Sequence, residues 1–271
     1  MPVNPRRGFT LADLLVGIVL LGLVATLCAR MVLSFCRQLR AEQERAGVET
    51  GFDVAMEFLG AELADVAPGD LRQVGSDSLV YRASRSTGIA CRVSSTAIDV
   101  LRERLFETRL PQPGRDSLLL YMGREGTRDG VDDWVVLPLL GVGSGSCGGR
   151  PSLRLATLID TSVIRIAALP PLNPIRSFEV MQARLYRSLG TWWLGARSVS
   201  AGEGIQPLAG PFEPNSVMFG YRDSSGLSTG LPESVRSIQA NLTGSAIGWN
   251  GRPSPQVFRG GILLTPANLR P

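Results

Sequence analysis

The stretch RRGFTLADLLVGIVLLGLVATLCAR, residues 6–30, decides how the rest of the chain is read. Two arginines and a glycine stand before an apolar run that admits one acid, Asp13, and no other charge until Arg30. Leu14 to Ala29 is uncharged over 16 residues, and Phe9 to Ala29 makes 21 with Asp13 included. At about 1.5 Å per residue such a helix reaches roughly 30 Å, the thickness of bilayer hydrocarbon. Charge counting does not orient it, because Arg6 and Arg7 lie on one side and Arg30, Arg37 and Arg40 on the other. Ala25-Thr26-Leu27 supplies no A-x-A signal-peptidase site, and Leu27 is too large to precede a lipidated Cys28. A carboxylate at mid-bilayer costs about 2.5–3.5 kcal/mol, less at the edge, so Asp13 calls for a partner. One reading is local: Thr10-Leu11-Ala12-Asp13 is a T-x-x-D capping box. The other is a docking group awaiting a second molecule.

Composition excludes more than it includes. The 271 residues contain no histidine, and all 28 basic side chains are arginine. That removes Ser-His-Asp and Cys-His pairs, imidazole metal ligands, P-loop lysines and Schiff bases, and no close acidic pair stands out. An enzyme is not expected, and no cofactor or metal is assigned. The net charge of +4 would fall to +2 without residues 1–8, which argues against nucleic acid as a partner.

Arg7-Gly8-Phe9-Thr10-Leu11-Ala12-Asp13-Leu14-Leu15 resembles the type III signal of type IV pilins and type II secretion pseudopilins. The resemblance implies that a prepilin peptidase cuts between Gly8 and Phe9 and methylates the new N-terminal phenylalanine, leaving residues 1–8 as a cytoplasmic leader. It also implies a docking role for Asp13, which stands where the family carries a glutamate thought to neutralise a neighbouring subunit's N-terminal amine. The aspartate is one methylene shorter, so its reach is less.

Beyond the membrane, no proline occurs between Phe9 and Ala67, so the helix is expected to continue until Pro68-Gly69. Many pilins have a proline at the 22nd mature residue, where this chain has Arg30, and the unbroken helix is more like pseudopilins and minor pilins. Phe52, Met56, Leu59, Leu63 and Val66 lay an apolar stripe on one face that wants a sheet to cover it. Residues 46–63 resemble the segment after the membrane helix in PilW-type minor pilins and J-type pseudopilins. The expected organisation is a leader at 1–8, a transmembrane part at 9–30, a periplasmic amphipathic part at 31–67 and a β-rich periplasmic head at 68–271. The fold class is α+β, a long N-terminal helix packed on a mainly antiparallel sheet.

After Pro68, short β-like runs alternate with Gly, Pro, Ser and Asp: 78–83, 89–94, 117–122, 134–139, 152–158, 162–169, 178–189, 191–199, 216–223, 235–243 and 257–265. The order of the runs at 178–189, 191–199, 216–223 and 235–243, with a Q-P-L-A turn at 206–209, resembles the C-terminal half of PilW-type proteins. Cys28 and Cys36 belong to the helix, while Cys91 and Cys147 belong to the head and are expected to pair in an oxidising periplasm. Gly143 to Gly148 spells G-x-G-x-x-G, but a β-like run rather than a helix follows, so residues 141–149 read as a flexible loop without nucleotide. Glu125, Asp129, Asp132 and Asp133 cluster without EF-hand spacing, and Asn241-Leu242-Thr243 is a glycosylation triplet within a predicted strand. Trp192 and Trp193 place one ring on each face of their strand.

The resemblance implies a minor pilin or pseudopilin, a structural subunit that assembles or initiates a type IV pilus or secretion pseudopilus. Its partners would be other pilins through the helix, the prepilin peptidase and the inner-membrane assembly platform. It would be single-pass in the bacterial inner membrane, and the bulk of the head suits a filament tip. The competing expectation is a membrane-anchored periplasmic binding or adhesion module with no filament role.

Overall fold

The computed structural model describes residues 11–123, 134–162, 164–169, 172–213, 218–247 and 253–263; for Pro68, 245–247 and 253–263 it describes the backbone only. Contacts divide the chain into two compact units, residues 1–49 with 245–256, and residues 50–244 with 257–271.

One helix, α1, runs from Leu11 to Leu63, 53 residues. It ends short of the expected Ala67. A residue before proline avoids the helical region, and the chain turns early: Val66 N–H bonds Leu63 O at 3.2 Å, and Ala67 N–H donates to the Asp70 carboxylate at 3.3 Å. A 3-10 turn at Pro68–Asp70 then leads into the head.

The head is built on two 16-residue strands, β2 (Ser78–Val93) and β9 (Asn173–Ser188), paired antiparallel from Ser78↔Arg184 to Ala90↔Asn173. Their neighbours change along their length. At one end β1 (Leu71–Val74) flanks β2, and β10 (Thr191–Ser198) with β11 (Gln206–Phe212) flanks β9. At the other end β3 (Ala97–Leu101), β8 (Arg150–Ala156) and β7 (Gly141–Cys147) follow β2. Beside β9 there lie β5 (Asp116–Tyr121) and β6 (Trp134–Pro138), and β4 (Phe106–Glu107) touches the middle of β2. A separate sheet runs in the order β12 (Phe219–Arg222), β13 (Ser237–Ile247), β14 (Pro253–Leu263).

Two apolar cores share the spine. The first gathers Ala55, Leu59, Leu63 and Val66 with Leu79, Tyr81, Met181, Leu185 and Leu194 and with residues of the small sheet such as Ile238 and Leu242. The second gathers Ile98, Val100, Leu118, Leu120, Leu137, Leu155, Ile159, Ile164 and Ile175. Odd residues of β9 face inward from Ile175 to Leu185, and they read Ile175, Ser177, Glu179, Met181, Ala183, Leu185. A polar break at Ser177 and Glu179 therefore separates the two cores.

Several sequence expectations are corrected. The runs at 78–83 and 89–94 are one strand, because β2 absorbs its polar middle by bulging. Residues 141–149 do not form a loop: Gly141 to Cys147 is a strand in unbroken register with β8. Gly145 suits that place, since a Cβ there would stand 2.5 Å from the buried Asp99 carboxylate. The run at 162–169 contains a 3-10 turn at Ile166–Ala168 rather than a strand. Strands β1, β3, β4 and β11 were not among the sequence candidates. The Q-P-L-A segment taken for a turn belongs to β11, an edge strand that accepts Pro207 and Pro211.

Candidate functional site

Within the first unit, the helix from Leu11 to Leu39 exposes its apolar side chains all round: Leu14, Leu15, Val16, Ile18, Val19, Leu20 and Leu21 are each more than half exposed, as are Leu27, Met31 and Phe35. The helix is long and apolar enough to cross a membrane. Asp13 sits in its first turn, where a carboxylate favours the positive end of the helix dipole. Gly8 and Phe9 lie outside the described residues, as does the acidic cluster at 125–133. Cys28 and Cys36 are exposed free thiols.

The last four turns of α1 sit on the head. Ala55, Leu59 and Leu63 are fully buried, while Phe52 and Met56 are only half-buried. The inward face is thus rotated from the sequence stripe toward Ala55, a small residue that lets the backbone come close. Closest of all is Gly51, where an added Cβ would lie 2.9 Å from the carbonyl oxygen of Gly210 on β11.

At the far end of this contact an arginine–carboxylate network fixes the helix. Arg85 is the extra residue of a β-bulge, since Ser84 pairs with Phe178 and Ser86 with Ser177, and the bulge turns its side chain inward. Its guanidinium donates to both oxygens of Glu62 on α1, at 3.0 and 3.2 Å, and through Nε to Glu179 on β9 at 2.9 Å. Glu179 also accepts from Arg109 at 2.9 Å and pairs with Arg115, which reaches on to Glu203 at 2.6 Å. Arg109 forks onto Asp116 with two bonds of 2.6 Å. Tyr81 O–H donates to Glu62 at 3.3 Å.

Burial pushes the Glu179 carboxyl upward, but hydrogen bonds with Ser198, Arg109 and Arg85 outweigh it and hold the group below the usual carboxylate range. Burial likewise disfavours the Arg85 cation, and the bonds to Glu62 and Glu179 more than restore it. Burial and the neighbouring Glu62 push the Tyr81 phenol well up, so it stays a donor.

No family model, curated protein or solved structure matches the chain. A long apolar N-terminal helix laid on an antiparallel sheet is nonetheless a pilin-like architecture.

The four buried acids of the head among the described residues are all held by arginine: Asp70 by Arg176 at 3.1 Å, Asp99 by Arg154 at 2.9 Å, Asp116 by Arg109, and Glu179 as above. These carboxylates organise structure. No group of metal-ligating side chains occurs among the described residues. An open cleft of about 230 Å³ lies beside the network, lined by Asp65, Ser84, Arg85, Phe106 and Glu107 among others.

Cys91 and Cys147 form a disulfide with Cα atoms 6.2 Å apart. In strand order β2 and β7 are separated by β3 and β8, so this end of the sheet curls back on itself. Cys91 occupies a second bulge of β2, between Ala90↔Val100 and Arg92↔Asp99. Sequence reasoning named both cysteines but missed Arg85, Glu179, Glu62 and Asp116. For Arg85, Glu179 and Asp116 the one sequence signal is charge at inward strand positions, which appears only once the register is known.

Proposed function

We propose that the chain is a minor pilin or type II secretion pseudopilin, a structural subunit of a membrane-derived filament. A prepilin peptidase cuts between Gly8 and Phe9, α1 holds the subunit in the inner membrane with its head in the periplasm, and neighbouring subunits then pack against the helix. The observation that carries this reading is one unbroken 53-residue helix, apolar all round at its start, that begins within R-G-F-T-L-A-D-L-L. A passive anchor needs about 20 apolar residues. It has no use for a continuous helix of 53 residues.

In this reading Asp13 pairs with the amine of Phe9 on an adjacent subunit, because two opposite charges among apolar helices are each costly alone. A head of about 200 residues suits a tip or initiating position rather than every step of a shaft. Mass spectrometry of the mature protein tests the reading: an N-methylated Phe9 is expected. Retention of Met1 through Gly8 in cells with an active prepilin peptidase would overturn it, and abundance along purified filaments equal to the main subunit would overturn the tip position.

A further inference from the structure

The face of the head sheet turned away from the helix carries a feature that neither core explains. Inward residues of β9 and β10 include Leu185, Ala183, Leu194 and Ala196, so Gln182, Arg184 and Tyr186 on β9 and Trp193 and Arg197 on β10 point outward. Trp193 is directly opposite Tyr186 across the ladder. Both rings recline on glycine. A Cβ on Gly195 would stand 2.5 Å from Tyr186 Cε1, and one on Gly210 would stand 2.8 Å from Trp193 Cε3. Glycine at these two places lets each ring lie down on the backbone with its outer face offered.

Two arginines flank them, Arg184 on β9 and Arg197 on β10. Arg184 is exposed and, with Arg72 on β1, makes no ion pair among the described residues; Arg197 binds only the side-chain oxygen of Gln182, at 2.7 Å. Farther along the same face Arg176 and Arg82 are engaged by Asp70, at 3.1 and 4.0 Å.

We propose that this face binds an acidic polysaccharide, with sugar rings lying on Tyr186 and Trp193 and uronate carboxylates taken by Arg184 and Arg197. Guanidinium forks match carboxylates in two-bond geometry. Two platforms side by side on one sheet suit a ribbon whose consecutive rings are nearly coplanar. Single-stranded nucleic acid can also lie on aromatic platforms, but the small net charge of +4 makes it the poorer fit.

The test uses the full chain in mild detergent, with tryptophan fluorescence as readout and three probes: β-1,4-linked oligomannuronate, an uncharged β-1,4-glucan of similar length, and single-stranded oligodeoxythymidine. The uronate polymer is expected to bind best and to weaken with salt. The double variant Arg184→Gln/Arg197→Gln is expected to bind at least tenfold more weakly, with an unchanged unfolding midpoint, and Trp193→Leu to lose a similar factor. Arg104→Gln, exposed elsewhere, should stay within twofold of the parent. Equal binding of the glucan, unchanged binding by the arginine double variant, no binding of any probe, or tighter binding of the oligonucleotide would each overturn the proposal. None of these outcomes depends on removal of residues 1–8, so this proposal and the filament reading fail separately.

Discussion

Replacing Arg85 by methionine should destabilise the head by about 3 kcal/mol. The side chain is 13% exposed, Glu179 is 1% exposed and Glu62 is 18% exposed, so the three charges meet largely out of water. Breaking a buried ion pair by removing one partner costs about 3–5 kcal/mol. The lower figure applies here because Arg109 and Arg115 remain on Glu179 and Glu62 can turn toward solvent. Arg85→Lys keeps the charge, but an ammonium cannot donate to Glu179 through one nitrogen and fork onto Glu62 with two others; about 2 kcal/mol should be lost. Urea unfolding of the full chain in mild detergent, followed by tryptophan emission, reads both. With a slope of about 2.5 kcal/mol per molar, the midpoint of Arg85→Met falls by roughly 1 M. Arg184→Met, on the outer face, should stay within about 0.5 kcal/mol. A cycle with Glu62→Met should return a coupling of about 1–2 kcal/mol. If Arg85→Met costs no more than Arg184→Met, the network does not seat the helix.

Reducing the Cys91–Cys147 bond, or replacing both residues by serine, removes a closure of sequence separation 56 and should lower stability by about 4 kcal/mol on the chain-entropy account; unfolding with and without reductant measures it. Glycines 51 and 60 on the helix should respond with opposite sign. Gly60→Ala has open space around its Cβ and should stabilise by about 1 kcal/mol, whereas Gly51→Ala drives a methyl group into the Gly210 carbonyl and should destabilise by about 1–3 kcal/mol, as thermal midpoints will tell. Because the native Glu179 pKa is depressed, its contribution is complete above the unfolded value of about 4.3 and disappears as pH falls through the lower native value. Stability measured against pH should therefore be flat near neutrality and drop below about pH 4.5, and Glu179→Gln should show a shallower acid limb; an unaltered limb refutes the assignment.

The helix and the α+β class were legible because both rest on periodicity, which local sequence carries without knowledge of any partner. Most strands were legible for the same reason, with bounds displaced by a few residues. Three things were not. Gly141 to Cys147 lacks the side chains that mark a strand, and its pairing with β8 supplies what its composition does not. The bulges at Arg85 and Cys91 shift alternation by one residue, so a strand read by strict period 2 breaks in two at that place. The network joins Glu62, Arg85, Arg109, Asp116 and Glu179, spread over more than a hundred positions, and nothing local marks a charge whose partner is that distant.

The apolar stripe alone would not hold the rod at one height. Ala55, Leu59 and Leu63 repeat every fourth residue, so a slip of one turn puts apolar side chains against the same core. Two exceptions in the stripe remove the alternatives. A slip that carries Ala55 to the place of Gly51 sets its Cβ 2.9 Å from the Gly210 carbonyl, a backbone atom that cannot step aside. The opposite slip brings Gly47 to that place without a clash, but puts Phe58 where Glu62 stands, and Arg85 then keeps one carboxylate instead of two. A glycine closes one direction and a glutamate the other. The buried charges at the seat are therefore better understood as setting register, which hydrophobic contact leaves open, than as adding to a cohesion the core already supplies.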